Sequence, residues 1–340
     1  MPLASVGKMP LCSLLSIKHK FSRALSERIR DVIIIASSNG DIGLKQGWEI
    51  LKNGGTAIEA VEACTWPVED NPLDNSVGYG GYPNVLGQVE LDASIMDGKY
   101  LRAGCVGAIK NVRHPISVAR KVMEELHHVM LVGEGAEMFA KEKGFAFENL
   151  LSPEAEKTWR DGLAGKFGPE WANDGLANIK ALISQSSKLA TDPQKVAGTV
   201  NFIAIDGHGN IASAVSTSGW AWKYPGRLGD SPIIGAGNYC DNRYGGAACT
   251  GLGEIAIRCS LARTTVMNMR YGMSVEEAVN SAFADMRTID MPKNQINMNM
   301  IALDAQGRHF AMTTHDKAEY AYIADGMEIP ALVPRATFEV

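Results

Sequence analysis

The 340-residue chain has no Asn-x-Ser/Thr sequon and no apolar run long enough to cross a bilayer. The first absence argues against a eukaryotic secretory route, the second against a helical membrane protein. Cysteine is sparse: Cys12, Cys64, Cys105, Cys240, Cys249 and Cys259 lack the close spacing of a zinc site or a disulfide framework and read as reduced, mostly buried thiols. Basic excess is missing as well. A formal net charge of −5 gives no field to attract nucleic acid or an anionic membrane, so neither is expected as a partner. His127 and His128 are adjacent and cannot share a helical face, while His114, His208, His309 and His315 have no HExxH-like context, so no metal is expected. The glycine-rich stretch 76–84 is not set between a strand and a helix as a dinucleotide site requires, so phosphate binding is not expected there. Acidic residues are almost absent from the first thirty positions, where Glu27 faces Lys8, Lys18, Lys20, Arg23, Arg28 and Arg30. This composition resembles a transit segment, but 10–17 is too broken for a signal peptide. A disordered arm over 1–30 on a cytoplasmic protein is expected.

What is present is a 46% hydrophobic chain able to bury a substantial core. Val32-Ile33-Ile34-Ile35-Ala36 predicts a buried strand, and 43–51 a helix closed by Asn53-Gly54-Gly55. Thr56 and Glu59 have capping-box spacing, with Ile58, Val61, Thr65 and Val68 on one face up to Asn71-Pro72. Val89, Leu91 and Ala93 alternate towards Asp97-Gly98, Pro115 opens a further helix, and Ser274 with Glu277 caps another. From about 152 to 198 the chain turns polar, which reads as a mobile linker or a processed connection. After it, 202–210 and 300–308 echo one another as strand, Gly-bearing turn and second strand, the partners being 211–217 and 309–314. Two such hairpins predict two packed, mainly antiparallel sheets with helices outside, an α+β fold of αββα sandwich type over 31–340.

Thr199 is the most informative residue. It follows Gly198 and heads the apolar run 199–206, so a cut between the two would make it a new N-terminus. A hydroxyl is a poor nucleophile at neutral pH, but an α-amine on the same residue titrates near ~7.7–8.0 and can take its proton. The run Pro225-Gly226-Arg227-Leu228-Gly229-Asp230-Ser231-Pro232 sets a guanidinium and a carboxylate in a stiffened turn. Arg227 could grip a carboxylate and Asp230 an ammonium, together clamping an amino-acid backbone; equally, the two could brace the turn as an ion pair. Thr250-Gly251-Leu252-Gly253-Glu254 introduces a helix through Ile255, Ile257, Leu261 and Val266, and its N–H groups could stabilise an oxyanion or its small residues merely permit close packing. Thr217, at the end of a strand, could bond the Thr199 amine or hydroxyl, or simply satisfy a turn. Trp220 and Trp222 could line a pocket or pack outside a sheet.

In this order, Gly198-Thr199-Val200, Ser216-Thr217-Ser218-Gly219, Pro225 to Pro232, Gly235-Ala236-Gly237 and Thr250 to Glu254 resemble the N-terminal nucleophile threonine amidohydrolases, the glycosylasparaginases and plant-type asparaginase/isoaspartyl peptidases. The similarity extends over 75–98 and 115–151. The resemblance implies a four-layer αββα fold and autocleavage between Gly198 and Thr199 into 31–198 and 199–340. It further implies Thr199 as nucleophile supported by Thr217, Arg227 and Asp230 as ligands of the substrate α-carboxylate and α-amine, and Thr250 and Gly251 as the oxyanion hole. A small amino-acid amide is then the partner, no metal or organic cofactor is needed, and a homodimer of αβ units is expected by analogy. The first half, at 76–81 and 129–136, is similar to glycosylasparaginase, whereas Gly198 follows the asparaginase branch. Ser38 stands where glycosylasparaginases carry tryptophan, and Asn201 where both branches carry glycine. The expected activity is cleavage of N4-(β-N-acetylglucosaminyl)-L-asparagine, with L-asparaginase or isoaspartyl peptidase as the rival. A reading of another class is an uncleaved amino-acid-binding protein without catalysis.

Overall fold

A computed structural model describes residues 30–164 and 198–340. The expected arm over 1–30 lies almost wholly outside the described residues, as does 165–197 of the expected linker. Branched side chains make β1, Ile33–Ser37, a fully buried strand. Helix α1 follows at Asp41–Lys52, and α2, Ala57–Glu69, starts at a complete Thr56–Glu59 capping box. Strands β2, Leu91–Asp97, and β3, Arg102–Ile109, form a hairpin. Pro115 takes the first turn of α3, Pro115–Glu125, where its missing N–H costs nothing. Short β4, Met130–Val132, and α4, Gly133–Glu142, follow.

The expected linker begins with structure. Ser152 caps and Pro153 opens α5, Pro153–Leu163, whose Trp159 and Leu163 are buried. A polar composition hid this helix because three apolar residues at spacing four, Ala155, Trp159 and Leu163, suffice to seat it.

Both predicted hairpins form: β5, Val200–Ile205, with β6, Ile211–Thr217, and β9, Met298–Asp304, with β10, His309–Thr313. Between them lie β7, Asn238–Asp241, and β8, Gly245–Gly251. Three helices come next, α6 Gly253–Cys259, α7 Leu261–Arg270 and α8 Val275–Ala284. The single helix expected after Thr250 is therefore two, since Ser260 takes a left-handed conformation at φ 49° and breaks it. Strands β11, Glu319–Ala324, β12, Ala331–Pro334, and β13, Ala336–Thr337, complete the chain.

The fold is α+β with two sheets, ordered β12-β11-β1-β5-β6-β2-β3-β4 and β13-β10-β9-β8-β7. Both are mixed: β3 with β4 and β10 with β13 run parallel, every other named pair antiparallel. Strand alternation divides the core. Ile34, Phe202 and Ile95 pack with residues of α1 to α3, while Ile33, Ile203 and Ile211 share a cluster with Ala248, Ile301 and Leu303 of the second sheet. Cys249, Met300 and Ala302 point the other way, onto α6 to α8. Central strands buried on both faces explain the nearly unbroken apolar runs at 32–36 and 202–205.

Candidate active site

The site is built at the ends of β5, β6 and β8. Thr199 immediately precedes β5, and the β5–β6 register pairs Val200 with Ser216, which puts Thr199 across from Thr217. The Thr199 hydroxyl lies 2.8 Å from the Gly198 carbonyl oxygen and 3.2 Å from Thr217 Oγ1. Thr217 Oγ1 lies 2.9 Å from that same carbonyl oxygen and accepts from the Gly219 N–H at 2.9 Å. One set of hydroxyl orientations serves every group: Thr199 donates to Thr217, which donates to the Gly198 carbonyl. In that arrangement, among the described residues, no group donates to the Thr199 hydroxyl, and the Gly198 carbonyl is polarised.

Gly198 is constrained by close approach. A Cβ built on it would fall 1.8 Å from Ser76 Oγ and 2.0 Å from Ser76 Cβ. Ser76 belongs to the Asn71–Gly81 region that also feeds the site through its backbone, with the Ser76 carbonyl accepting from the Ser218 N–H at 2.7 Å and lying 3.3 Å from Thr217 Oγ1. Its hydroxyl donates to Asp74 in a short bond. Nothing in the composition of 76–84 singled out Ser76; the signal is a tertiary one.

A small cavity of about 10 Å³ is lined by Thr199, Thr217, Trp220, Arg227, Asp230 and Gly251, among others. Arg227 and Asp230 thus do meet at the threonine, but they do not pair with one another as the bracing alternative required. Arg227 instead binds Glu254, with Nε and Nη2 donating to Oε1 at 2.9 and 2.8 Å and Nη2 to Oε2 at 2.8 Å. Asp230 is buried, and among the described residues its Oδ2 has no hydrogen-bond partner. Burial pushes its carboxyl up to about 7. Gly253 makes room for it, since a Cβ there would lie 2.7 Å from Asp230 N and Oδ1. Lys223, which sequence reasoning passed over, is fully buried beside the clamp, donates to the Glu90 carbonyl at 3.0 Å, and has its ammonium pKa pushed down by burial.

Thr250 and Gly251 close β8 and do not open a helix; α6 starts two residues later. Any oxyanion contact from them would come from a strand end. Both line a second, far larger cleft of about 850 Å³, together with Thr199, Ser38, Asn75, Asn297 and Asn299. The exposed His315 and Lys317 line it too, as does Arg335, which is buried and donates from Nε to the Glu319 carbonyl at 2.8 Å. Gly198, Thr199 and Gly251 border both spaces. Asn201 sits just below, its amide donating to the Cys249 carbonyl at 3.2 Å and its backbone N–H to Ser37 Oγ at 3.1 Å.

The tryptophans divide. Trp220 lies past the end of β6, stacked 4.9 Å from the Arg227 guanidinium, while Trp222 is buried with Trp159 and Tyr82 in a separate cluster. Strand alternation could not place them because the strand stops at Thr217. Among the described residues no group of three His, Cys, Asp or Glu side chains is arranged to hold a metal ion, and no helix is long and apolar enough to cross a membrane.

A threonine leading a central strand of a two-sheet α+β core, its hydroxyl against the preceding carbonyl, is the geometry of the N-terminal nucleophile hydrolases, and comparison with known proteins agrees. The chain belongs to their asparaginase family, whose family model, described as Asparaginase, matches residues 40–333. A plant-type L-asparaginase of Pyrococcus horikoshii is 42% identical over 285 residues, covering 84% of this chain and 88% of its own. The N(4)-(β-N-acetylglucosaminyl)-L-asparaginase of Elizabethkingia miricola is 39% identical over 280 residues, 81% of this chain and 76% of its own. An isoaspartyl peptidase/L-asparaginase of Mus musculus is 39% identical over 246 residues, 72% of this chain and 69% of its own. The protein is accordingly a hydrolase of amide bonds.

Proposed function

We propose that this chain cuts itself between Gly198 and Thr199 and then hydrolyses the side-chain amide of N4-substituted asparagine through a threonine ester. The observation that carries the reading is the triangle of Thr199 Oγ1, Thr217 Oγ1 and the Gly198 carbonyl oxygen, all within 3.2 Å of one another. In maturation Thr199 Oγ attacks the Gly198 carbonyl carbon, the C–N bond breaks, and the acyl group moves to oxygen. Water then hydrolyses that ester, leaving a Gly198 carboxylate and a free Thr199 amine. In turnover the Thr199 amine takes the hydroxyl proton, Thr199 Oγ attacks the substrate amide carbon, and the C–N bond breaks as the Thr199 ammonium passes that proton to the departing nitrogen. Water next releases aspartate. Thr250 and Gly251 serve the oxyanion, Thr217 supports the nucleophile, and Arg227 and Asp230 hold the α-carboxylate and α-ammonium. The αββα layering and pairing of two αβ units belong to the same reading.

The size of the cleft beyond Thr199 favours a bulky substituent on the departing nitrogen, and its Ser and Asn side chains suit a sugar such as N-acetylglucosamine. The exposed His315 and Lys317 lining the cleft support the second reading, a β-aspartyl peptide whose departing amino acid carries a carboxylate. Comparing kcat/KM on GlcNAc-asparagine, β-aspartyl-leucine and asparagine tests this. No detectable release from the first substrate refutes the leading choice. A denaturing gel tests the processing: two fragments are expected for the native chain and one band for Thr199→Ala, whereas a single full-length band from an active native enzyme refutes the mechanism.

A further inference from the structure

We propose that Glu254 is a positioning residue for the Arg227 guanidinium and so sets how strongly the pocket grips a substrate α-carboxylate. The inference rests on the proposed amino-acid pocket and adds a side chain that pocket did not need for its definition.

The guanidinium is a flat fork with five N–H donors, and its surroundings use them unequally. Glu254 takes the outer edge with both oxygens, at 2.8 to 2.9 Å from Nε and Nη2. The Trp220 ring covers one face at 4.9 Å. What remains is Nη1. Cβ atoms built on Gly219 and Gly229 would lie 3.5 and 3.0 Å from it, and both glycines line the small cavity with Thr199 and Asp230. Nη1 is therefore the donor turned towards the nucleophile, and the lack of side chains at those two positions leaves it approachable.

A free arginine loses considerable rotamer freedom when it engages a ligand. Glu254 and Trp220 impose that loss before any ligand arrives, so less is lost on binding. The exposures fit the role: the Glu254 side chain is 43% exposed and that of Arg227 17%, so the outer partner faces solvent and the inner edge faces the site. Glu254 touches no cavity-lining atom of the nucleophile, and its influence passes through Arg227.

The test compares the native chain with Glu254→Ala, Glu254→Gln and Glu254→Asp, using L-aspartate and β-alanine as competing ligands. β-Alanine is aspartate without its α-carboxylate. Glu254→Ala should weaken aspartate roughly tenfold and raise the asparagine KM by a similar factor. Affinity for β-alanine should hardly move, kcat should fall far less than KM rises, and Glu254→Asp should recover part of the loss. Glu254→Gln keeps the side-chain size and serves if the alanine variant does not fold. A fall in KM would overturn the proposal, because Glu254 would then be competing with substrate. Equal weakening of both ligands, a loss confined to kcat, or a folded variant that stays uncut would overturn it as well. An inactive native enzyme would sink the function reading instead, while calorimetric binding of the two ligands would still report on the clamp.

Discussion

Replacing Gly198 with alanine should stall self-cleavage, and the structure says which second change should restore it. The added methyl would lie 1.8 Å from Ser76 Oγ and 2.0 Å from Ser76 Cβ, where ordinary contact begins near 3.4 Å. Relieving that overlap moves one of the two backbones by more than an ångström. The carbonyl carbon under attack belongs to the displaced residue, and misplacement of a reacting group by about 1 Å costs ~10²-fold in rate. That corresponds to roughly 2.7 kcal/mol of barrier. Ser76→Gly removes both clashing atoms, and the next atom of that residue, its Cα, lies 3.5 Å away, an ordinary distance. The Ser76 carbonyl, which accepts from the Ser218 N–H beside Thr217, is untouched by the change. The assay is a time course of intact mass on freshly purified chain, for the native sequence, Gly198→Ala, Ser76→Gly and the double variant. Cleavage should be slow only in Gly198→Ala. Native-rate cleavage of Gly198→Ala, or a double variant as slow as the single one, would refute the steric argument.

Thr217→Val keeps the shape of the side chain but removes the hydroxyl joining Thr199 to the Gly198 carbonyl, so processing and turnover should each slow by ~10². The Gly219 N–H also loses its acceptor, which should cost about 1–3 kcal/mol in urea unfolding, and Thr217→Ser should recover both properties. Asp230→Asn should abolish tight aspartate binding yet stabilise the fold above neutral pH. The sign follows from the carboxyl, which burial raises from 3.8 to about 7: between these values the unfolded chain binds fewer protons than the folded one, so Asp230 costs stability increasingly as pH rises through that window. The Tm difference between variant and native should therefore open from pH 4 to pH 7 and then level off, with roughly 4 kcal/mol as its ceiling; a constant difference would show that Asp230 is already ionised throughout.

Much of this was legible in the chain because it depended on local chemistry. The Thr56–Glu59 and Ser274–Glu277 capping boxes and the Pro115 helix start are settled within one turn of backbone. Even the facing of Thr199 and Thr217 follows from a hairpin whose turn is centred near His208, since the two residues are equidistant from it. Distance in sequence hid the rest. Arg227 and Asp230 are three apart and invite pairing, but a carboxylate from the start of α6 meets the guanidinium. Lys223 reads as a solvated loop cation and is buried against Glu90, far away in the chain. Ser260 carries no glycine to announce the helix break it makes.

The two cavities give the processing step a second consequence on the proposed reading. Gly198, with Thr199 and Gly251, borders both the small space beside Arg227 and the larger cleft, so it lies between the two. At about 10 Å³ the inner space is at the limit for a single water and cannot hold an aspartyl group. Release of Gly198 would free one of the three residues shared by the two spaces, and an asparagine amide could then lie across the gap. Its amino-acid end would sit between Arg227 and Asp230, its substituent would occupy the cleft, and its carbonyl would replace that of Gly198 beside Thr199. A single cut would thereby create the base, vacate the acyl site and join it to the leaving-group side. This is why one glycine, packed too tightly against Ser76 to bear a side chain, bears on both halves of the chemistry.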